Sequence, residues 1–352
     1  MGNRYFWLCC FVFLASLSIW VRGDLFGFDS YATWNAVRFG IFEPLNNQPV
    51  ASVVWGLLPD SLLLFKGLMF LSLFFTIIPI WLLISNYYEE RLAWISIFLL
   101  LGLSPILLFG FGEFENEILA YPFLVWGVYW FLTAKDWKGT IQSIVSVLVG
   151  TSFWLWPGYL TFLNNGSSGI LETQLFAGLW QFWFLLPFIF GIFLIKRNRV
   201  LFLGTLFICL TLWNFKLFIF LIPILGLSVA NAWILLEKYD FVKKTLLYLA
   251  FFGLFAVNIA FIMQSPNQSD WFFVNKAVEL QKETNYPLYV DLGFEYWTIH
   301  KIGIAFNYNQ VTQHDWNSYD KPFIALTKSV LDCELVKKEE SQIKEKYIWL
   351  CN

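Results

Sequence analysis

Charged residues are scarce in this sequence, and histidine is almost missing from it. Among 352 residues, 14% are aspartate, glutamate, lysine or arginine, and two are histidine, His300 and His314. Because structural zinc sites draw four ligands from cysteine and histidine, the chain offers no convincing zinc ligand set. The formal net charge of −2 leaves no basic field for nucleic acid and no acidic tail for a charged protein partner.

Cysteine is also sparse, with five residues in the chain. Cys9, Cys10 and Cys209 lie in apolar runs, where cysteine behaves as a small hydrophobic residue. Cys333 and Cys351 lie in the polar C-terminal part. A disulfide is permitted there if that part is outside the cytoplasm, but two cysteines without a larger framework leave the pairing open.

The abundant residues are apolar and aromatic. Hydrophobic residues make up 58% of the chain and aromatic residues 21%, far above the range of soluble proteins. Apolar runs of roughly twenty residues, the length that crosses a bilayer core as a helix, recur along the chain. The composition therefore predicts a polytopic α-helical membrane protein.

About nine transmembrane helices are expected from the apolar runs and the charges that flank them. Their predicted boundaries are near 5–21, 61–84, 92–109, 118–133, 140–157, 174–195, 200–214, 217–236 and 245–263. The first run is interpreted as an uncleaved anchor and not as a signal peptide, because no small-residue cleavage site follows it.

Lysine and arginine are distributed asymmetrically between the connections. With the N-terminus in the cytoplasm, every inward connection is basic, which is the positive-inside pattern. The basic residues are Arg4, Arg91, Lys135, Lys138, Lys196, Arg197, Arg199, Lys238, Lys243 and Lys244. The same orientation puts residues 22–60, 110–117, 158–173 and the chain after about 264 on the extracytoplasmic side.

The chain changes character after residue 264. Residues 265–352 are richer in Asn, Gln, Lys and Glu than the preceding part of the chain, and no run there is long enough to span a bilayer. Residues 269–284 predict a helix with Trp271, Val274 and Val278 on one face, and "YPLYVDLG", "IAFNYNQ", "PFIALTK" and "KYIWLCN" predict short strands. We expect a transmembrane domain, 1–264, and a small extracytoplasmic α/β domain, 265–352.

An acidic cluster lies between two apolar runs in "FGEFENEILAYPF", residues 111–123, which contains Glu113, Glu115 and Glu117. Residues two apart point the same way only in an extended segment, so the three glutamates converge only if this stretch is a loop. Two carboxylates about 4 Å apart repel by roughly 4 kcal/mol at an effective dielectric of 20, and a divalent cation such as Mg²⁺ or Mn²⁺ removes that repulsion. The alternative is a solvated loop whose Glu117 complements the dipole of the next helix.

Two other predicted outer segments contain a carboxylate near an apolar run. "GFDSYATWNAVRFGIFEP", residues 27–44, places Asp29 before a stretch with Trp34 and Arg38, and "GSSGILETQ", residues 166–174, contains Glu172. Taken alone, Asp29 is expected to cap a helix and Glu172 to be a solvated loop residue.

In their order along the chain, these segments resemble the catalytic subunit of oligosaccharyltransferase, a membrane glycosyltransferase of the GT-C class. "FDSYATWNAVRFG" is similar to the first acidic motif of that family, and "GEFENEILAYPF" to the second, with Glu115 and Glu117 where aspartates are common. "GILETQ" resembles the third element through Glu172. "WNFKLFIFLIPILGL", residues 213–227, resembles a late span that begins with a basic residue, here Lys216.

The resemblance has two departures. The family usually has more spans and a larger outer domain, and its WWDYG motif is represented here by "YVDLG", residues 289–293, in which Asp291 takes the place of the motif's aspartate. The loss of both tryptophans puts recognition of an Asn-x-Ser/Thr acceptor in doubt. By the resemblance, Asp291 would contact the acceptor.

The resemblance implies a metal-dependent transfer from a polyprenyl-phosphate or pyrophosphate glycan donor to a protein or other acceptor on the extracytoplasmic face. Asp29, Glu117 and Glu115 would be metal ligands, with Glu115 as second choice or as support for another ligand. Asp29 and Glu172 would face the acceptor nucleophile, and Lys216 would neutralise the lipid phosphate. As an alternative, Lys216 is a snorkelling residue at a helix end.

Two other functions stay open. A transporter is one, although transporters place polar groups near the membrane midplane and these carboxylates are expected at one face. The second is a noncatalytic relative that binds lipid or partner proteins. Glutamate in place of aspartate and the small outer domain favour that second alternative.

Overall fold

A computed structural model of the protein describes most of the chain and divides it into two compact units. The described residues are 2–22, 25, 28–39, 49–103, 117–154, 186–195, 197–213, 217–263, 268–290, 316, 320–327, 330–340 and 345–352. The first unit comprises Met1–Leu25, Leu45–Val54 and Ser61–Gln264, and the second comprises Phe26–Pro44, Trp55–Asp60 and Ser265–Asn352. The second unit therefore combines the predicted outer domain with two segments that precede residue 61.

Most of the described residues are helical. Ser61 illustrates how the sequence begins a helix, since its Oγ accepts a hydrogen bond from the Leu64 backbone N–H at 3.4 Å. In chain order the helices are α1 (Gly2–Ala15), α2 (Leu17–Val21), α3 (Phe28–Phe39), α4 (Pro49–Gly56), α5 (Leu62–Tyr87), α6 (Glu90–Leu103), α7 (Glu117–Thr133), α8 (Trp137–Trp154), α9 (Leu186–Gly191), α10 (Asn198–Trp213), α11 (Phe218–Leu235), α12 (Asp240–Met263) and α13 (Gln268–Thr284).

The described residues contain fewer helices of spanning length than the nine expected for the whole chain. Within the described residues, three helices are long and apolar enough to cross a membrane: Leu62–Tyr87, Phe218–Lys238 and Asp240–Ile259. Three shorter apolar helices, Arg4–Ala15, Ile118–Thr133 and Asn198–Thr211, overlap further predicted spans.

Helix length explains part of this correction. Helix α7 has 17 residues, which at roughly 1.5 Å per residue gives about 26 Å, less than a hydrocarbon core of about 30 Å. The expected spans 92–109, 140–157 and 174–195 extend into residues outside the described part of the chain. Within the described residues, apolar composition located helices at predicted spans, but fewer of these helices than expected reach the length of a full span.

The predicted first span, 5–21, is broken into α1 and α2 at Ser16. Asn258 of α12 is buried at the break, where its side-chain amide donates to the Ala15 carbonyl at 2.9 Å. Its Oδ1 accepts from the Ser18 backbone N–H, also at 2.9 Å. A buried backbone group without a partner is costly, so Asn258 stabilises the break by satisfying groups that a continuous helix would pair internally.

The second unit contains a four-stranded sheet beside α13. Its strands are β1 (Leu288–Val290), β2 (Phe323–Thr327), β3 (Glu334–Glu340) and β4 (Glu345–Cys351), in the spatial order β1-β2-β4-β3. β1 is parallel to β2, whereas β4 is antiparallel to both β2 and β3. A helix followed by a small sheet is what the C-terminal sequence predicted.

Individual strand predictions differ in outcome. The strands predicted in "YPLYVDLG", "PFIALTK" and "KYIWLCN" correspond to β1, β2 and β4, whereas "IAFNYNQ" lies outside the described residues. β3 was not predicted, because its sequence "ELVKKEE" is mostly charged. β3 lies at the end of the strand order, and charged side chains are a common protection for such edge strands.

The sheet carries an aromatic core on one face. Phe323 and Ala325 of β2 lie opposite Cys351 and Trp349 of β4. With Tyr347 they form a buried cluster against which Tyr289, Trp316, Leu331 and Cys333 pack. On α13, Val274 and Val278 of the predicted apolar face are buried, and the helix packs against β2 and β4.

Cys333 and Cys351 form a disulfide, with Cα atoms 4.8 Å apart. The bond joins the residue before β3 to the last residue of β4 and closes a segment with a sequence separation of 18. Loop-closure arguments give about 3 kcal/mol of stabilisation for a loop of this size. The pairing that the sequence left open is therefore present in the fold.

Counting the thiols tests this pairing. We expect denatured, unreduced protein to react with maleimide at three cysteines, because Cys9, Cys10 and Cys209 are free. After reduction all five cysteines should react, as measured by the mass of the intact protein. A Cys333→Ser variant is the control, and it should show four reactive thiols without reductant. Five labels on unreduced wild type would show that the bond does not form.

Candidate functional site

The predicted site residues are distributed over both units. Asp29 lies in the first turn of α3, in the second unit, and Glu117 is the first residue of α7, in the first unit. The side chains of Asp29 and Glu117 are outside the described part of the structure, and so are Glu115, Glu172, Lys216 and Asp291 as whole residues. The convergence of these groups therefore stays a prediction.

The backbone positions of Asp29 and Glu117 have a common feature. Each residue is in the first turn of its helix, where the free N–H groups and the helix dipole favour negative charge. For Glu117, this is the position that the solvated-loop alternative requires. Asp29 lies within α3 and not ahead of it, so the expectation that it caps the helix from outside is corrected.

Helix α3, which contains Asp29, has an unusually polar set of buried side chains. Ser30, Thr33 and Asn35 are each at most 2% exposed. Buried hydroxyl and amide groups need hydrogen-bond partners, so polar groups take part in the packing of α3. Ser30 and Thr33, three residues apart, lie on one side of the helix, whereas Asn35 lies on another.

The exposed side of α3 is fixed by a carboxylate that sequence analysis missed. The indole Nε1 of Trp34 donates to Oδ1 of Asp60 at 2.7 Å, and Nε of Arg38 lies 3.5 Å from Oδ2 of the same residue. Trp34 and Arg38 are four residues apart, the spacing that puts two side chains on one helix face. The spacing predicts that Trp34 and Arg38 can contact a common partner, but nothing in the sequence indicates that this partner is Asp60.

Lys66 is a second residue that sequence analysis missed. It is 7% exposed in α5, and its Nζ donates to the carbonyl oxygens of Trp20, at 3.4 Å, and Arg22. These carbonyls lie at the end of α2, where a cation complements the helix dipole. A single lysine in the apolar run 61–84 was the signal, since a buried charge in such a segment requires partners.

The described residues do not form a metal centre by themselves. Among them, no group of three or more histidine, cysteine, aspartate or glutamate side chains is placed to hold a metal ion. The side chains of the predicted ligands Asp29, Glu115 and Glu117 lie outside the described part of the chain. Carboxylate oxygens remain the ligand type that Mg²⁺ and Mn²⁺ prefer.

Comparison with known proteins does not add a relative. No family model matches the chain, and neither a curated protein nor a solved structure matches it significantly. The functional argument is therefore carried by the residues of this chain.

Proposed function

We propose that the protein is a GT-C class membrane glycosyltransferase. It moves a sugar or oligosaccharide from a polyprenyl-phosphate or pyrophosphate donor to an acceptor on the extracytoplasmic face. The observation that carries this proposal is the order of the acidic motifs, with Asp29, Glu115, Glu117 and Glu172 each beside an apolar segment. The starts of α3 and α7, at the first and second motifs, are compatible with that order.

The disulfide supports the proposed side of the membrane. Disulfides form and persist in oxidising compartments and are rare in the cytosol. The Cys333–Cys351 bond therefore favours an extracytoplasmic position for the sheet of the second unit. Since α3 belongs to the same unit, Asp29 would be on that side as well.

The reaction replaces one bond of the anomeric carbon by another. The bond to the donor phosphate oxygen breaks, the phosphate leaves as an anion, and the acceptor nucleophile bonds to the anomeric carbon as it loses a proton. Asp29 and Glu172 would orient the nucleophile and accept that proton. Lys216 would hold the donor phosphate through its charge, and Asp291 would contact the acceptor.

A divalent cation fits the chemistry of the proposed carboxylates. Asp29 and Glu117 would be its first ligands, and Glu115 would complete or support them. When bound, Mg²⁺ or Mn²⁺ would supply Lewis-acid stabilisation of the charge that develops on the phosphate.

A noncatalytic relative that binds lipid is the second candidate. Glutamate at both positions of the second motif and "YVDLG" in place of a tryptophan-rich motif favour it. Loss of two indole surfaces would weaken acceptor binding, because aromatic anchors commonly dominate peptide recognition.

Purified protein and a lipid-linked donor distinguish the two candidates. With a polyprenyl-pyrophosphate glycan, we expect slow release of the lipid phosphate without acceptor and faster release when an acceptor is added. The measurement is chromatographic separation of the intact and cleaved lipid. Donor binding without cleavage, under several divalent cations and with several acceptor classes, would replace the transferase by the noncatalytic relative.

A further inference from the structure

Several connections of the first unit meet at one end of its helices. The hydroxyl of Tyr87, the last residue of α5, donates to the Leu132 carbonyl at 3.0 Å. Nη1 of Arg4 lies 2.8 Å from Oε2 of Glu90. These contacts bring together the N-terminus, the α5–α6 turn and the α7–α8 turn. Glu117 begins α7 and these contacts involve its other end, so about 25 Å of helix separates them from the proposed catalytic side.

Two exposed arginines are held against these turns. The guanidinium carbon of Arg197 lies 4.2 Å from the centroid of the Tyr87 ring, which is a cation–π contact. Nη1 of Arg199 donates to the Ala134 carbonyl at 2.8 Å. This bond places Arg199 beside Lys135, which is also exposed. We call Arg197, Arg199 and Lys135 the basic face.

The two arginines of the basic face form no salt bridge with a carboxylate in the described part of the chain, and Glu90 is paired with Arg4. Oδ1 of Asp136 accepts the Gly139 backbone N–H at 3.0 Å. Burial raises the pKa of Tyr88 above its ordinary value, and the positive charge of Arg197 opposes that rise. The guanidinium of Arg197 therefore acts on groups of the α5–α6 turn while it remains exposed.

Apolar side chains adjoin the basic face and are also exposed. Phe193 and Leu194, which precede Arg197 in the chain, are 52% and 60% exposed. Trp137, which follows Lys135, is 68% exposed. Phosphate in solution would leave these side chains in water. A phospholipid covers both parts, because its phosphate meets the arginines while its acyl chains meet the apolar residues.

We propose that the basic face binds the phosphate of an anionic membrane lipid at the end of the first unit opposite Glu117. A guanidinium offers paired N–H donors that match phosphate oxygens, and the Tyr87 ring and the Ala134 carbonyl hold two such groups in place. Tryptophan at the headgroup level is typical of a membrane interface. The proposal does not depend on the glycosyltransferase assignment, since none of its residues belongs to the proposed catalytic set.

Lipid binding to purified protein in a neutral detergent tests this proposal. Native mass spectrometry would measure the affinity for phosphatidylglycerol and for phosphatidylcholine. We expect an Arg197→Ala/Arg199→Ala double variant to bind phosphatidylglycerol about 25-fold more weakly, with phosphatidylcholine unchanged, since each basic residue near an anionic surface contributes about a factor of five. The matched control, Lys238→Ala/Lys244→Ala, removes one exposed lysine between α11 and α12 and one in the first turns of α12, and should change the affinity less than about twofold.

Three results would overturn the proposal. Equal losses in both double variants would mean that overall charge, and not the basic face, attracts the lipid. Competition by millimolar inorganic phosphate as effective as that by the lipid would indicate a site for free phosphate. If the alanine variant does not fold, an Arg197→Lys/Arg199→Lys variant keeps the charge but loses the paired donors, and unchanged lipid affinity in it would contradict the role of the guanidinium groups.

Discussion

Asp29→Asn is expected to lower donor turnover by about 100-fold while donor affinity changes little. General acid–base and charge-stabilising carboxylates commonly contribute about 10²–10⁴ to a rate. Such a group acts mainly on charge that develops as the leaving group departs, so its loss reduces kcat more than binding. Asparagine keeps the shape of the side chain and its compatibility with the first turn of α3.

Lys216→Ala provides the contrasting result. The lysine charge would meet the donor phosphate already in the bound ground state, so its loss should mainly weaken donor binding. Asp332→Asn is the matched control for Asp29→Asn, because it removes an exposed carboxylate from the same unit without touching a proposed site residue. Its turnover should equal that of wild type.

The kinetic measurement is the initial rate of donor cleavage over a range of donor concentrations, together with donor affinity measured separately. Unchanged turnover in Asp29→Asn, with wild-type activity clearly present, would reject the catalytic assignment of the acidic motifs. A fall in Asp332→Asn of the same size would show that the assay reports general charge and not the site.

Gly253→Ala is expected to prevent stable packing of α12 on α6. The distance between a Cβ at this position and the backbone carbonyl oxygen of Gly102 would be far less than 3.0 Å. Real Cβ atoms essentially never come so close to another heavy atom. A Cβ at Gly102 would meet the backbone of Ala250 in the same way. Small residues permit this close approach between helices in a membrane, and a backbone atom cannot rotate away as a side chain can.

The expected loss is at the upper end of the roughly 1–3 kcal/mol that overpacking usually costs. Gly67→Ala in α5 is the matched control, because an added methyl there would have no atom within 4 Å. That change should be neutral or stabilise the helix by about 0.5–1 kcal/mol. The measurement is the unfolding temperature in detergent and the monodisperse fraction after size-exclusion chromatography. Wild-type stability in Gly253→Ala would contradict the described contact between α6 and α12.

The hydropathy pattern predicted the positions of several helices and strands, because these elements depend on the polarity of neighbouring residues. Helix α7, Glu117–Thr133, begins one residue from the predicted 118–133. β2 and β4 follow apolar runs that are bounded by polar residues. These elements depend mainly on neighbouring residues in the sequence, so the local pattern of apolar and polar residues predicts them.

Contacts between distant residues were not predictable in the same way. Asn258 and Ser18 are separated by 240 positions, and the broken first helix depends on their hydrogen bond. The hydrogen bond from Trp34 to Asp60 also joins distant residues. Helix spacing predicts that Trp34 and Arg38 share a face, but it does not predict that Asp60 is their partner. Apolar content likewise predicted about nine spans for the whole chain, whereas three helices of the described residues are long and apolar enough to cross a membrane. Apolar content alone does not show at which residue a helix ends.

The candidate site was predicted from the order of the motifs along the chain, which does not determine the positions of the site residues in space. Asp29 and Glu117 are each in a first helical turn, but motif order cannot give the distance between two carboxylates. The sequence did predict a helix followed by short strands in the C-terminal part that contains the disulfide. It left the pairing of Cys333 and Cys351 open, since two cysteines without a larger framework do not show whether the fold brings them together.

The most direct test of the proposed function is the divalent-cation dependence of donor cleavage by wild-type protein. After treatment with a chelator, the purified protein should no longer release the lipid phosphate, and added Mn²⁺ or Mg²⁺ should restore the rate in a saturable manner. Asp29→Asn should need a higher Mn²⁺ concentration for its residual rate. Cleavage that is unchanged by thorough chelation, or absent under every cation while the donor still binds, would contradict a metal-dependent glycosyltransferase.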